Sequence, residues 1–373
     1  MSTRPRSVVL AGGGTAGHVS PLLALADALR RRDPEVDIAV LGTAAGLEAR
    51  LVPERGYELH TIPKVAMPRR PDTALIRLPG SLRGAVDAAG AVIDAQRADV
   101  VVGFGGYVST PAYLAARRRR VPIVVHEQNT RPGLANRVGA RLTPFVATTF
   151  SSTQLAHARF LGMPMRTEIT GLDRAARRDE AMTAFGLSGA WPTVLVTGGS
   201  LGAARLNGAF ERRVRELSDA GIQVLHVTGR GKAFDPVDLG TGAPYVVREY
   251  VDRMDLAYAA ADLVVSRAGA GMVCELTAVG LPAIYVPLPI GNGEQRFNVT
   301  DVVGAGGGLV VDDQALTPQW ISEVLVPLVH DRDRLAAMAT AAASVGHRDG
   351  DERLADLVEE AAASATRPGG GAR

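Results

Sequence analysis

The sequence predicts an α/β protein of two similar domains, each a parallel sheet covered on both faces by helices, facing a central cleft. Three observations predict it. Apolar runs of strand length alternate with helix-length segments through short turns, the signature of a parallel sheet. The pattern runs once and then restarts near Thr193. Both passes open on a strand that ends in a glycine-rich turn: Val8–Ala11 enters Gly12-Gly13-Gly14-Thr15-Ala16-Gly17-His18, and Thr193–Thr197 enters Gly198-Gly199-Ser200-Leu201-Gly202-Ala203. At 373 residues the chain also exceeds what one core usually supports.

In the first pass Ser20 reads as an N-cap and Pro21 as the first helical residue, giving a helix to about Arg32. Strand 36–41, a short helix near 46–55 and strand 57–62 follow. The proline-rich stretch 64–80 reads as irregular, and Leu82, Val86, Ala89 and Val92/Ile93 then recur at helical spacing. Strand 99–102 enters the turn Gly103-Phe104-Gly105-Gly106-Tyr107, followed by a helix ending in Arg117–Arg120. Strand 122–126 ends at Glu127-Gln128-Asn129, and a helix near 133–142 and strand 145–149 close the half.

The second pass gives strand 193–197, a helix through about Leu217, strands near 223–228 and 245–247, and a helix near 253–260. Strand 262–266 enters Arg267-Ala268-Gly269-Ala270-Gly271 and a helix near 272–279. Strand 282–286, an irregular stretch 287–293, a helix from Glu294 and two more helices complete it. The boundaries predicted are 1–165 and 166–346. A last helix within 347–364 is expected to pack back on one of the domains, the first being favoured, and 366–373 to be a disordered tail.

The bulk properties narrow the class. Hydrophobic residues make up 46% and charged residues 21%, ordinary for a globular chain. A net charge of +2 gives no general attraction to nucleic acid, so no nucleic-acid partner is expected. Cys274 is the sole cysteine, which leaves no internal disulfide and fits a reducing compartment. No run of ~20 apolar residues is present to cross a bilayer.

Parallel sheets bind ligands outside the carboxyl ends of their strands, where these turns lie. Gly12-x-Gly14-x-x-Gly17 matches the dinucleotide fingerprint in form, yet Gly42-Thr43 stands where that fingerprint needs a ribose-binding acid. His18 puts a titratable imidazole beside a potential anion site, the bland alternative being a helix-cap histidine. The second array is better equipped. Glu275, just inside the helix after Gly269-Ala270-Gly271, could take both hydroxyls of a ribose or merely offset the helix dipole. Gln295 opens a helix with Glu294 and Asn298, amides and carboxylates suited to sugar hydroxyls or to a solvated helix start. His126-Glu127-Gln128-Asn129 stacks polar groups at a strand end, serving a site or an internal network. The seven histidines show no metal-ligand spacing, so no catalytic metal is expected. Arg69, Arg70 and Arg77 interleave with Leu75, Ile76 and Leu78, either a patch for an anionic membrane or a loop packed on its own domain.

Together, the turns 12–18, 103–109 and 198–203, the 126–129 run and the 267–275 segment resemble the MurG family of bacterial N-acetylglucosaminyltransferases in order and spacing. The resemblance spans nearly the whole chain and implies the GT-B fold, two Rossmann-like domains. It implies transfer of N-acetylglucosamine from UDP-N-acetylglucosamine to the C4 hydroxyl of undecaprenyl-pyrophosphoryl-N-acetylmuramoyl-pentapeptide, with inversion, no cofactor and no metal. It implies a peripheral enzyme on the cytoplasmic face of the plasma membrane, with other cell-wall synthesis or division proteins as candidate partners. Carried over by position, Glu275 holds the uridine ribose, and Val251 with Ala270, Gly271, Met272, Val273 and Cys274 surrounds the uracil. Ser200 and Arg166 contact the donor diphosphate and Gln295 the donor sugar. Thr15, Ala16, Gly17 and Asn129 lie near the transferred sugar and the acceptor pyrophosphate.

Three positions depart from the family's usual pattern: Ala16 for a glycine, Met163 where a Gly-Asn-Pro run is usual and this chain has Gly162-Met163-Pro164, and Glu294 for a glutamine. Ala16 is tolerable only at negative φ. His18 is the candidate base, with Glu127 and His126 as rivals. Two alternatives stay open: another GT-B glycosyltransferase acting on a glycolipid or natural product (with a UDP-sugar epimerase further off), or a catalytically silent, membrane-docked binding module.

Overall fold

The computed structural model describes residues 4–65, 74–199, 202–289 and 293–366, the side chains of 74–78 and 366 excepted. Residues up to Arg166, joined by those from Asp349 onward, form one compact unit, and Thr167–Arg348 form a second.

In the first unit the order is β1 (Ser7–Ala11), α1 (Ala16–Arg32), β2 (Asp37–Gly42), α2 (Glu48–Glu54), β3 (Glu58–Thr61), α3 (Ala74–Ala95) and β4 (Val100–Gly103). There follow α4 (Ser109–Arg119), β5 (Ile123–Glu127), α5 (Leu134–Gly139), β6 (Phe145–Thr148) and β7 (Ala158–Phe160). The seven strands pair in parallel in the order β3-β2-β1-β4-β5-β6-β7. Alternate residues feed opposite faces: Val8, Leu10, Val102 and Val124 pack into one core layer, and Val9, Ala11, Val101 and Val125 into the other.

The second unit runs α6 (Thr167–Thr170), α7 (Arg174–Phe185), β8 (Thr193–Thr197), α8 (Ala204–Glu211), α9 (Val214–Asp219), β9 (Gln223–Val227), β10 (Tyr245–Arg248), α10 (Met254–Ala260) and β11 (Leu263–Ser266). It continues with α11 (Ala270–Ala278), β12 (Ala283–Tyr285), α12 (Glu294–Asn298), α13 (Thr300–Gly304), β13 (Gly308–Val310), α14 (Pro318–Trp320), a π-helical turn (Ile321–Leu325), α15 (Val326–His330) and α16 (Arg332–Ser344). Its six strands repeat the topology, β10-β9-β8-β11-β12-β13, all parallel.

In each sheet the strand order reverses at its first strand. The crevice at such a switch point is flanked by β1 and β4 in one unit and by β8 and β11 in the other. The four glycine turns read from the sequence follow those four strands.

Several expectations need correction. The first helix begins at Ala16: Thr15 takes the extended cap conformation (φ −134°, ψ 157°), and the amides of His18 and Val19 both donate to its carbonyl. Pro21 lies in the second turn, where it deletes only the bond to the Gly17 carbonyl. Pro79 likewise lies in the second turn of α3, so Leu75, Ile76, Arg77 and Leu78 belong to a helix, while 66–73 fall outside the described residues. The helix expected to reach Leu217 breaks into α8 and α9. The strands β7 and β13 and the helix α7 had no counterpart in the sequence reading, and the expected two closing helices are several shorter ones.

The last helix, α17 (Gly350–Thr366), lies in the first unit. Leu354, Ala355, Leu357, Val358 and Ala361 join the core of Val8, Leu10 and Val124. Arg32 reaches Glu352 at 2.8 Å, Asp356 at 2.8 Å and Glu359 at 3.1 Å, and Arg31 meets Asp351 at 2.6 Å. Because Leu354 is fully buried, Leu354→Ala is expected to cost about 2–5 kcal/mol in urea unfolding. A cost under ~1 kcal/mol would contradict this docking.

Candidate active site

In the first unit the turns after β1 and β4 meet backbone to backbone. Gly106 has φ +80°, and a Cβ on it would lie 2.6 Å from the Gly13 carbonyl oxygen, so glycine is required twice over. The buried Ser109 hydroxyl joins the two turns. It accepts from the Gly105 amide at 2.9 Å and lies 3.0 Å from the Ala11 carbonyl and 2.7 Å from that of Gly105.

His18 follows this junction. Its Nδ1 lies 3.1 Å from the Gly13 carbonyl and 3.2 Å from the Thr15 hydroxyl. A carbonyl can only accept, so Nδ1 carries the proton and Nε2 keeps its lone pair. Among the described residues Nε2 makes no hydrogen bond; it lies 3.2 Å from the place a Gly105 Cβ would take. Desolvation lowers the His18 pKa, against the opposing pull of Glu127, the Gly13 carbonyl and Glu48. Burial thus favours the neutral ring, and the Gly13 carbonyl sets its tautomer.

The rival candidates are committed elsewhere. Glu127 is buried and accepts from the Asn129 amide at 2.9 Å, the Gly133 amide at 3.0 Å and Asn136 Nδ2 at 2.9 Å. Tyr113 donates to Asn136 Oδ1 at 2.9 Å, so the carboxylate anchors the loop that carries Asn129. His126 is fully buried, its Nε2 on the Gly162 carbonyl at 3.1 Å and its Nδ1 facing Gln128 Nε2 at 3.0 Å. Burial lowers its pKa to about 4. Both ring nitrogens are occupied, which leaves it a structural group. Ala16 opens α1 and has negative φ, so the alanine is accommodated. Thr15 and Gly17 are exposed at the same turn, and Asn129 is half-buried.

In the second unit, the turn after β8 packs as tightly. A Cβ on Gly202 would lie 2.1 Å from the Thr228 carbonyl oxygen, and Asn207 Nδ2 donates to that oxygen at 2.9 Å. Ser200 lies outside the described residues. Past the turn after β11, Tyr258 donates its hydroxyl to Glu275 Oε2 at 2.6 Å, which aims the carboxylate. Gly271, Met272 and Cys274 are half-buried around it, while Val251, Ala270 and Val273 are buried. Burial, with Glu275 adding, pushes the Cys274 thiol up. Gln295 Oε1 accepts from the Leu288 amide at 2.9 Å, which fixes the side chain of a half-buried residue. Asp313 bridges Arg267 at 2.6 Å and Arg205 at 3.2 Å, holding the turn after β11 to the start of α8.

Arg166 ends the first unit, half-buried, and makes no ion pair among the described residues. Met163 is buried, with the Thr149 hydroxyl 3.8 Å from its sulfur. Arg69 and Arg70 lie outside the described residues. The sequence reading missed Glu48, Tyr113, Asn136, Tyr258 and Asp313, and named Ser109 only as part of the 103–109 turn. Most of their partners lie 17 or more residues away in the chain, as Gly14 does from Glu48, Asn136 from Tyr113 and Glu275 from Tyr258, which leaves no local pattern.

Residues 8–148 match the glycosyltransferase family 28 N-terminal domain, and residues 193–354 match its C-terminal domain. A relative from Nocardioides sp. is 59% identical, over 95% of this chain and 97% of its own length. It is named UDP-N-acetylglucosamine–N-acetylmuramyl-(pentapeptide) pyrophosphoryl-undecaprenol N-acetylglucosamine transferase. The chain belongs to the MurG family. A Streptomyces coelicolor relative of the same name is 56% identical over 96% of this chain and 99% of its own. The crystal structure of Acinetobacter baumannii MurG superposes with a TM-score of 0.78 at 27% identity, covering 95% of this chain and all of that one. The calicheamicin glycosyltransferase CalG4 (TM-score 0.67, 19% identity, 98% of this chain and 100% of its own) shares the fold, the GT-B arrangement of the MurG family.

The buried histidines predict a pH response. His126 is lowered to about 4 and His226, buried on β9, to about 3, so both fold neutral. A depressed folded value means stability is complete above the unfolded value near 6.5 and is lost as pH falls below it. Urea unfolding is expected to weaken by about 1 kcal/mol per pH unit for each histidine between pH 6.5 and 5. Flat stability over that interval, or ring resonances titrating near pH 6.5, would contradict the assignment.

Proposed function

We propose that this chain transfers N-acetylglucosamine from UDP-N-acetylglucosamine to the C4 hydroxyl of undecaprenyl-pyrophosphoryl-N-acetylmuramoyl-pentapeptide, forming the β-1,4 bond of the lipid-linked disaccharide of peptidoglycan. The observation that carries this reading is identity above half, over nearly the full length of both chains, with relatives named for that reaction.

The residues give it a mechanism of one displacement. His18 Nε2 takes the proton from the acceptor hydroxyl as its oxygen bonds to C1 of the donor sugar. The C1–O bond to the diphosphate breaks on the opposite face, and its electron pair leaves with UDP, so the anomeric centre inverts. Arg166, Ser200 and the amides at the start of α8 take up the charge of the leaving diphosphate. Glu275, held by Tyr258 through one oxygen, offers the other to the ribose hydroxyls. Gln295 keeps its amide N–H groups for the donor sugar. Val251 and the 270–274 segment enclose the uracil, while Thr15, Ala16, Gly17 and Asn129 receive the acceptor pyrophosphate and the incoming sugar. No step calls for a metal or a cofactor.

Among the described residues no helix is long and apolar enough to cross a membrane. The acceptor is a lipid, and the sequence at the start of α3 carries Leu75, Ile76, Arg77 and Leu78, a few residues after Arg69 and Arg70. This segment docks the enzyme on the anionic cytoplasmic face of the plasma membrane, where other cell-wall synthesis or division proteins are its candidate partners.

Chromatography of a reaction with UDP-N-acetylglucosamine and a short-chain lipid acceptor tests the reading: a disaccharide-lipid is expected, and its absence in protein that binds UDP would refute it. For the donor site, Glu275→Ala is expected to weaken UDP binding at least ~10-fold by calorimetry, the worth of a charged hydrogen bond. Unchanged affinity would remove Glu275 from the nucleotide.

A further inference from the structure

Glu48, the first residue of α2, is fully buried beneath the turn that precedes His18. Its Oε2 accepts from the Gly14 amide at 2.8 Å, and its Oε1 from the Thr43 amide at 2.9 Å and the Thr43 hydroxyl at 2.8 Å. Glycines wall it in. A Cβ on Gly13, Gly42 or Gly46 would fall 2.4, 2.6 or 2.1 Å from Glu48 atoms, so three positions forgo a side chain around one carboxylate. A charge buried this deeply is costly unless its lone pairs are filled, and here three donors fill them. Desolvation raises its pKa, but those bonds outweigh it and the group stays ionised, below the usual carboxylate range.

The Gly14 N–H and the Gly13 C=O are the two ends of one planar trans peptide, so they point in opposite directions. Glu48 grips the first, and His18 Nδ1 donates to the second at 3.1 Å. We propose that Glu48 is the positioning residue of the catalytic base: a carboxylate that acts on His18 through the Gly13–Gly14 peptide, holding the imidazole in its Nδ1–H tautomer with Nε2 free. The inference rests on the reading of His18 as the base. A chain of hydrogen bonds from carboxylate to peptide to imidazole polarises each member, so the anion strengthens the carbonyl as an acceptor. It does for His18 what a carboxylate in direct contact does in a catalytic dyad, with a peptide inserted. The charged groups that face His18 are Glu127, at the end of β5, and Glu48 itself. Both favour the protonated ring, and only Glu48 is bonded into the turn on which Nδ1 rests.

The test is Glu48→Gln in the full-length enzyme. Its amide presents a donor to the Gly14 or Thr43 N–H, which are donors themselves. Turnover is expected to fall at least ~10-fold, with KM for the UDP-sugar, whose site lies in the second unit, within about twofold. The acid limb of the kcat–pH profile is expected to move to lower pH, since the ring loses a stabilising anion, and the 15N spectrum of histidine-labelled protein to lose the Nδ1–H signature of His18. Lost turnover with an unmoved acid limb and an unchanged His18 tautomer would overturn the proposal, leaving Glu48 a purely structural group. Glu48→Asp, which keeps the charge but withdraws it by about one C–C bond, or ~1.5 Å, is expected to move the same readouts less; where Glu48→Gln does not fold, it decides by the same criteria. The tautomer measurement is independent of turnover. A fully active His18→Ala enzyme would therefore defeat the base reading alone, with the spectrum still judging the link from Glu48 to His18.

Discussion

The peptide between Gly13 and Gly14 is held from both ends, its N–H by the Glu48 carboxylate and its C=O by His18, and the first unit's site depends on that grip. Gly14, at φ +88°, can adopt the bend, and Gly106 closes over the Gly13 carbonyl where no side chain would fit. From this fixed peptide the imidazole acquires its tautomer, and α1 starts early enough to carry His18 in its first turn. Loss of the carboxylate would free the peptide to rotate, and the ring with it.

The two units share one topology and put different chemistry on it. In both, glycine turns follow the strands that flank the reversal in strand order. Behind the first turn stands an anion, Glu48, which takes the Gly14 amide for itself. Behind the second stand cations: Arg205 and Arg267 share Asp313 next to α8. The acid that suits a ribose is on α11, aimed by Tyr258 from α10. This difference in charge is in keeping with the proposed division, the nucleotide on the second unit and the proton transfer on the first.

Much of this was legible in the sequence because it is local. A glycine run after an apolar run marks a strand-end turn, and such turns, two in each pass of alternating strands and helices, pointed to the doubled parallel fold. Glu275 and Gln295 were singled out by their expected places just inside helices, and the structure puts both in helices. Local logic failed where it relied on proline as a boundary, since Pro21 and Pro79 each lie one turn inside a helix that starts earlier. It also missed the three-residue strands β7 and β13, too short for periodicity to register. Glu48 left only an indirect trace, the glycines at 13, 42 and 46 that make room for it. The standing of His126 and Glu127 was not readable at all. Both are polar residues at a strand end, and only their hydrogen bonds reveal that one supports a loop and the other the core.

The proposed mechanism requires His18 to act in chemistry and not in donor binding. The most direct measurement is turnover of His18→Ala alongside its calorimetric affinity for UDP. Loss of the base predicts a fall in kcat of about 100-fold or more, with the UDP dissociation constant within about twofold of the parent enzyme. Undiminished turnover, or an affinity lost in proportion to rate, would contradict it.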